Sequence, residues 1–386
     1  MKRILLVEPI CRGSRTQILV NTVESLLEEG NRVILLLRKD YKTQHFMDLF
    51  SPHLDKVEII SSNIDLNGNW IRNLTVREMF NYFYIINQNR HKFDEIIFMA
   101  LDDYLLSFNL LLIYLKSRLK DKRVNIIKYR VQYLLTSNSL KQKILKFLTY
   151  LPVIILNAKL ICFDERLANS TVNKQKINVL PDPWFGEFKE VSKNEKIILR
   201  EKYKITNDKN VTLIIGRQTE RKGIEFILNN IGLIFGDNKN LLLVVGKIDK
   251  EYSVAFNNLK KNYPEQIIHI DDFISETELP EVFQISDSIL LPYSLTFDSS
   301  SGVLVRACAT GKPVIATSHG LVGYRVSKNN LGETFTYNDS QSFLTAFNKL
   351  NAHKDSYYSF LRNFSKETSL ESFKSKMKFI LKVRGK

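Results

Sequence analysis

The sequence predicts an α/β protein with two domains, each built on a parallel sheet that helices cover on both faces. A length of 386 residues suits two domains. In both halves, short runs that are apolar nearly throughout alternate with helix-length segments. Strands of that composition are typical of buried parallel sheets. In such sheets, ligands bind at the carboxyl ends of the strands.

The second half shows the alternation most plainly. Its helix-length segments include one in which Ile227, Ile231 and Ile234 share a face. Its predicted strands are NVTLIIG (210–216), NLLLVVG (240–246), QIIHIDDF (266–273), SDSILLPY (286–293) and KPVIATS (312–318).

The first half repeats the plan. It opens with the strand MKRILLVEP, which is followed by a helix that ends at Gly30. A polar stretch with two prolines, NVLPDPWFGEF (178–188), lies between the two series and reads as a linker. We therefore predict domains over residues 1–177 and 178–365. Residues 366–386 form a C-terminal helix that packs back across, with an apolar stripe at Phe373, Met377, Ile380 and Leu381.

Charge, the length of apolar runs and cysteine spacing indicate where the protein acts and what it can bind. The formal net charge is +15, and the segment from Lys116 to Lys146 holds ten basic residues and one acidic residue in a region that reads as helical. Nucleic acid, an anionic membrane or an anionic substrate could meet such a patch, or it could be a solvated helix face. No apolar run reaches the length of a membrane span. The three cysteines are widely spaced, which indicates a reducing cytoplasm and small core residues.

The turn after the first strand of the second half carries candidate chemistry. The strand ends at Gly216, Arg217 follows, and Lys222 and Gly223 open a helix. Free backbone N–H groups and the helix dipole favour an anion there, and the two cations would add to it. Two ordinary surface cations remain the alternative.

A second helix start lies further on, in FDSSSGVLVRACATGKPVIAT. Ser299, Ser300, Ser301 and Gly302 precede an apolar helix, so a second N-terminus would point at the same anion. Asp298 could accept hydrogen bonds from sugar hydroxyls, while the serines could equally be helix caps.

In this order, these segments resemble the donor-binding domain of retaining GT-B glycosyltransferases, the large group 1 (family 4-like) family. The likeness is good over about residues 178–345 and weaker before them. It implies two Rossmann-like domains that face a central cleft, with no obligatory metal and no cofactor beyond the nucleotide-sugar substrate. It also implies that Arg217 and Lys222 bind the donor diphosphate and stabilise the leaving group.

The sequence departs from this family at one pair of positions. The family carries two glutamates eight residues apart, and here they fall on Asp298 and Arg306. Arginine cannot accept a hydrogen bond from a ribose. Three explanations stay open: the ribose is held differently, Arg306 meets a phosphate, or the site is degenerate.

The first domain is expected to bind the acceptor. Arg12, Gly13 and Arg15 follow its first strand and would suit an anionic acceptor. Asp102 and Asp103 follow another strand, where they could orient an acceptor hydroxyl or cap a helix.

The sequence thus predicts a metal-independent glycosyltransferase, a hexosyltransferase. It would use a nucleotide-sugar donor and a lipid-linked or polysaccharide acceptor in cell-surface glycan synthesis, with retention of configuration as the resemblance implies. We expect it in the cytoplasm, at the inner face of the membrane through residues 116–146, and without nucleic acid, since no nucleic-acid-binding motif is present. The alternatives are a non-catalytic subunit that binds a nucleotide-sugar, for which Arg306 argues, and a sugar-nucleotide epimerase.

Overall fold

The computed structural model describes residues 1–11, 14–62, 76–136, 138–168, 177–184, 191–236, 238–272, 274–275 and 278–382. The chain forms two compact units. The first consists of Met1–Pro181 with Leu370–Lys386, and the second of Asp182–Ser369.

Seven parallel strands of the described residues form the sheet of the first unit, in the order β3-β2-β1-β4-β5-β6-β7. They are β1 (Arg3–Glu8), β2 (Arg32–Arg38), β3 (Val57–Ser62), β4 (Glu95–Phe98), β5 (Arg123–Lys128), β6 (Lys159–Cys162) and β7 (Ile177–Val179). The helices are α1 (Ser14–Glu28), α2 (Gln44–Phe50), α3 (Val76–Gln88), α4 (Leu105–Leu110), α5 (Leu112–Arg118), α6 (Gln132–Leu135) and α7 (Leu140–Ile155).

The second unit holds six parallel strands within the described residues, in the order β10-β9-β8-β11-β12-β13. They are β8 (Asn210–Ile215), β9 (Asn240–Val245), β10 (Ile267–Ile270), β11 (Ser288–Leu291), β12 (Val314–Thr317) and β13 (Gly332–Phe335). The helices are α8 (Lys193–Lys202), α9 (Ile224–Asn230), α10 (Ser253–Asn262), α11 (Leu279–Gln284), α12 (Gly302–Ala309), α13 (Gly320–Lys328), α14 (Ser340–Ala352) and α15 (Tyr358–Glu367). The predicted α/β class, with two parallel sheets, is confirmed.

The C-terminal helix α16 (Leu370–Lys382) belongs to the first unit. Its predicted apolar stripe is buried. Lys374 Nζ pairs with Glu24 at 3.1 Å and with Glu28 at 2.5 Å on α1. At its far end, Lys2 Nζ donates to the Leu381 carbonyl at 3.0 Å.

Predicted local structure was wrong at the linker and in the basic region. The predicted linker begins with Asn178 and Val179, but these two residues belong to β7, which pairs with β6. The basic region 116–146 reads as helical, but β5 (Arg123–Lys128) runs through its middle. Its four central residues, Val-Asn-Ile-Ile, are too few for a helix and are buried between β4 and β6. Lys128 is buried with the strand, so it is no part of the basic surface.

The three cysteines are free and buried, as predicted. None of the described helices is long and apolar enough to cross a bilayer.

Candidate functional site

The turn after β8 is shaped by a close approach of two backbones. Gly223 has φ +83°, and a Cβ there would lie 1.7 Å from the Pro292 carbonyl oxygen, just beyond β11. The chain reaches it through a 3-10 turn, Glu220–Lys222, which the Thr219 hydroxyl caps by accepting from Lys222 N at 3.2 Å. The helix therefore begins at Ile224, two residues later than predicted. Since β8 and β11 are neighbouring strands, the two predicted donor segments meet at one edge of the sheet.

Lys222 is held at this meeting point. Its Nζ donates to the Tyr293 hydroxyl at 2.8 Å and lies 5.0 Å from the centroid of the Phe297 ring. The Tyr293 and Ser301 hydroxyls lie 2.9 Å apart. Ser301 in turn accepts from Leu304 N at 3.4 Å as the cap of α12. A chain of hydrogen bonds thus joins the predicted phosphate-binding lysine to the start of α12.

The loop before α12 carries the other predicted donor residues. Phe297 stacks on Tyr293, with ring centroids 4.0 Å apart, and Arg221 Cζ lies 4.4 Å from the Phe297 centroid. Arg221 Nη1 donates to Ser299 Oγ at 3.5 Å. Asp298, Ser299 and Ser300 are half-buried, whereas Gly302 is exposed as the first residue of α12.

A cavity of about 540 Å³ lies at the same carboxyl edge, between the turns after β8 and β9, the segment after β10, and α12. Its polar lining consists of the side chains of Arg217, Lys247, Asp272 and Arg306 and the backbone of Gly216 and Gly246. Its apolar walls are formed by Ile215, Val245, Ile274, Leu279, Phe283 and Val303. A small apolar chamber with a few polar groups is typical of ligand sites.

Two predicted residues line this cavity in different ways. Arg217 is 75% exposed at the rim, and its Nε lies 2.5 Å from Asp249 Oδ1. Arg306 lies on α12, one turn after Gly302, and is half-buried in the wall. Among the described residues, the cavity is thus lined by three cations and one carboxylate, and an anionic ligand suits that balance.

In the first unit, Asp102 is committed to local structure. Its carboxylate accepts from Lys128 Nζ at 2.8 Å, from Tyr129 N at 2.7 Å and from Arg130 N at 3.0 Å. Burial disfavours its charged form, but Lys128 and these hydrogen bonds outweigh burial and hold the pKa of Asp102 below its ordinary value. Because its side chain is only 2% exposed, an acceptor hydroxyl has little access to this carboxylate.

Asp103 and Arg15 are brought together, although they lie far apart in the sequence. Their side chains form an ion pair, and Arg130 Nη2 lies 3.2 Å from the other Asp103 oxygen. Arg15 Cζ also lies 5.7 Å from the centroid of the Tyr129 ring. Arg12 and Gly13 lie outside the described residues, so their predicted roles stay predictions.

Sequence reasoning missed Glu8, the last residue of β1. Its side chain is fully buried, and Oε1 accepts from Ile10 N at 2.8 Å, whereas Oε2 meets no donor among the described residues. Burial raises the pKa of Glu8 to about 8, and the nearby charge of Arg15 only partly opposes the shift. A carboxylate that ends an apolar strand beside a predicted ligand loop was visible in the sequence and could have been singled out. Asp249 and Asp272 carried no comparable pattern.

The fold and the second unit define a class of protein. The two parallel sheets match GT-B glycosyltransferase structures, and residues 195–367 match the family described as glycosyl transferases group 1. Over residues 195–367, the resemblance predicted from the motifs is thereby confirmed at the level of that family, whereas retention of configuration stays a prediction.

Individual proteins show the same likeness. Anabaena Alr3699/HepE in complex with UDP superposes with a TM-score of 0.71, 14% identity and 99% of each chain covered. Sucrose-phosphate synthase from Thermosynechococcus elongatus gives a TM-score of 0.72 at 17% identity, over 99% of this chain and 98% of that one. Glycogen synthase of Mycoplasma mobile is 26% identical over 42% of this chain and 32% of its own length. The chain spans about a third of the length of the curated relatives it matches.

Proposed function

We propose that this protein is a glycosyltransferase that moves a sugar from a nucleotide-sugar to a lipid-linked or polysaccharide acceptor in cell-surface glycan synthesis. The observation that carries the proposal is the hydrogen-bonded chain from Lys222 through Tyr293 to Ser301, beside a cavity at the carboxyl edge of the second sheet. It joins a cation to the N-terminus of α12, where backbone N–H groups favour a phosphate.

In this proposal the donor diphosphate lies at the start of α12. Lys222 and Arg217 neutralise the charge that develops on the leaving nucleoside diphosphate, an electrostatic role that needs no metal ion. The nucleoside occupies the cavity, whose apolar walls suit a base. The Anabaena protein was crystallised with UDP and with UDP-glucose, so uridine donors are the first to test. Retention of configuration is part of the proposal and rests on the family likeness.

Donor binding tests the proposal directly. Thermal unfolding is followed with UDP-, GDP- and ADP-sugars for the wild type and for Arg217→Ala, Lys222→Ala and the control Lys260→Ala, an exposed lysine on α10. A donor at about a hundred times its Kd stabilises by ~2.7 kcal/mol. We expect this shift to shrink in the first two variants and to persist in the control. No shift with any donor contradicts the proposal.

Catalysis needs its own measurement, because a non-catalytic subunit would also bind the donor. Donor turnover is followed with membrane lipid extracts and with glycan acceptors, with and without EDTA. We expect transfer that EDTA leaves unchanged. Donor binding without transfer to any acceptor would instead favour the non-catalytic subunit, and interconversion of the free nucleotide-sugar would favour an epimerase.

The first unit also offers a surface for a membrane, and we propose that it binds anionic lipid at the cytoplasmic face. Helices α4 and α7 are joined by Asn109 Nδ2, which donates to the Leu148 carbonyl at 3.0 Å. Large apolar side chains on α4, α5 and α7 are 50–83% exposed: Leu106, Leu110, Ile113, Leu140, Ile144, Phe147 and Ile154. Lysines stand among them at positions 116, 141, 143 and 146. This mixture is typical of interfacial surfaces on anionic lipid.

Vesicle flotation tests this surface at two salt concentrations, with and without anionic lipid. We expect the wild type to float with anionic vesicles, less so at high salt, and Ile113→Glu with Phe147→Glu to abolish flotation. Ile198→Glu is the matched control, since Ile198 is 65% exposed on α8 of the other unit. Flotation that ignores lipid charge, or that survives the double substitution, contradicts this part of the proposal.

A further inference from the structure

We propose that Asp272 recognises the ribose hydroxyls of the bound nucleotide; the inference rests on the proposed function, in which the cavity of the second unit holds the nucleoside. Asp272 follows β10 by two residues, is exposed, and lines the cavity. Strand β10 is fixed beside the β9 turn, because Gly246 N donates to the Ile270 carbonyl at 2.9 Å.

The argument starts from the side chains that the cavity offers. Among the described lining residues, Arg217, Lys247 and Arg306 can donate hydrogen bonds but cannot accept them. Asp272 is the one lining side chain in this part of the chain with acceptor oxygens. A ligand group that must donate a hydrogen bond to a lining side chain therefore has Asp272 as its acceptor.

The backbone acceptors of the two glycine turns are already engaged. The Gly216 carbonyl accepts from Gln218 Nε2 at 2.5 Å, and the Gly246 carbonyl lies 3.0 Å from His269 Nε2. The Lys247 carbonyl accepts from Gln218 N at 2.8 Å. Each of these carbonyls keeps a second lone pair, but it is a neutral acceptor, whereas Asp272 offers a ligand donor an anionic acceptor among the described lining residues.

Each part of a nucleoside diphosphate has a matching group in the lining of the cavity. Its phosphates are acceptors and suit the cations, and its base has two apolar faces for the cavity walls. Its ribose carries two adjacent hydroxyls that need an acceptor, and a carboxylate past a strand end can take both, as in dinucleotide-binding sheets. Arg306 then donates to the ribose or phosphate oxygens and needs no acceptor capacity of its own.

The test compares UDP with 2′-deoxy-UDP by titration calorimetry, in the wild type, Asp272→Asn and Asp271→Asn. Asp271 is the matched control, because its side chain is 67% exposed and is not among the cavity-lining residues. We expect the wild type to prefer UDP by about 10- to 100-fold, the value of a hydrogen bond to a charged group. Asp272→Asn should reduce this preference to within about threefold, mainly by lowering the affinity for UDP. Asp271→Asn should leave the preference unchanged.

The outcomes separate this inference from the function on which it rests. If GDP or ADP binds in place of UDP, the same comparison is made with its 2′-deoxy form. Binding with an unchanged ribose preference in Asp272→Asn overturns the Asp272 assignment alone. An equal loss for the ribo and deoxy forms also overturns it, since Asp272 would then meet another part of the ligand. If no nucleoside diphosphate binds the wild type, the proposed function fails and this inference falls with it.

Discussion

The ammonium group of Lys222 makes two interactions with the side chain of Tyr293, one with its hydroxyl and one with its ring. The Nζ donates to the Tyr293 hydroxyl at 2.8 Å and lies 4.2 Å from the centroid of the same ring. The pair connects the turn after β8 to the segment after β11. The position of the ammonium group is therefore set by the packing of two neighbouring strands rather than by its own flexible stem.

Removing only the hydroxyl tests this relationship. Tyr293→Phe keeps the ring that stacks on Phe297 but loses the bonds to Lys222 and Ser301. We expect kcat for sugar transfer to fall roughly tenfold, equivalent to ~1.4 kcal/mol of transition-state stabilisation. Unfolding free energy should fall by about 1–3 kcal/mol, because one of the two lost bonds is neutral and the other comes from a charged ammonium group. Tyr252→Phe, which loses a bond to Glu225, is the control for kcat. Equal kcat in both variants would show that the hydroxyl does not position the lysine.

Gly223 is predicted to be the least replaceable glycine of the donor turn. A methyl group there would fall 1.7 Å from the Pro292 carbonyl oxygen, and φ is +83°. The two nearest atoms, the carbonyl oxygen and carbon of Pro292, belong to the backbone and cannot move aside easily. We therefore expect Gly223→Ala to lower the free energy of unfolding by ~3 kcal/mol or more, measured by urea titration. Gly236→Ala is the comparison, since a Cβ at Gly236 would meet nothing within 4 Å. Similar costs at the two positions would contradict the close approach.

Glu8 should make stability fall as pH rises. Burial raises its folded-state pKa to about 8, whereas the unfolded chain releases this proton near the ordinary value of about 4.5. Between these values the folded protein holds one proton more, so its unfolding free energy declines by at most ~1.4 kcal/mol per pH unit. Glu8→Gln removes that proton from the balance and should flatten the curve of unfolding free energy between pH 5 and 8, measured by urea titration. A parallel curve for wild type and variant would contradict the shift.

Lys312 should act in the opposite direction and at higher pH. Burial, with the positive charge of nearby Lys196, lowers its folded-state pKa to about 7 from 10.5. Between those values the unfolded chain holds the extra proton, so stability should rise with pH from about 7 to 10.5. Lys312→Met removes the charge and should flatten this rise in urea titrations, while the exposed Lys260→Met retains it. If the unfolding free energy of Lys312→Met still rises over this pH range, another titratable group must cause the rise.

Much of the fold was predictable because strands buried on both faces must be apolar nearly throughout. That pattern identified most strands of both units. It missed β5, where basic residues stand at both ends and Asn125 interrupts the apolar residues, and it missed β7 and β13, which are only three and four residues long. The C-terminal stripe was equally predictable, because its helical spacing is independent of what the helix packs against. The sequence pattern alone did not show that α16 lies on α1; the ion pairs between Lys374, Glu24 and Glu28 establish this contact.

The donor-side residues were predictable in kind, since turns with glycine and basic residues at the ends of strands recur in anion sites. Their partners were not. Tyr293 ends a run that reads as a strand, and Asp249 reads as an ordinary loop residue. Their roles depend on which strands are neighbours, and sequence order does not give that. Glu8 is the exception, since a charged residue that closes an apolar strand is visible in the sequence itself.

The sequence by itself determined the α/β class, the two parallel sheets and the family likeness of the second half, because each depends on local periodicity and on short motifs. The tertiary structure decided how single charges are used. It buried Asp102 against Lys128, paired Arg217 with Asp249, and placed Asp272 and Arg306 on the walls of one cavity. Such assignments depend on distances of a few ångströms between segments far apart in the chain, and these distances exist only once the sheet has set the order of its strands.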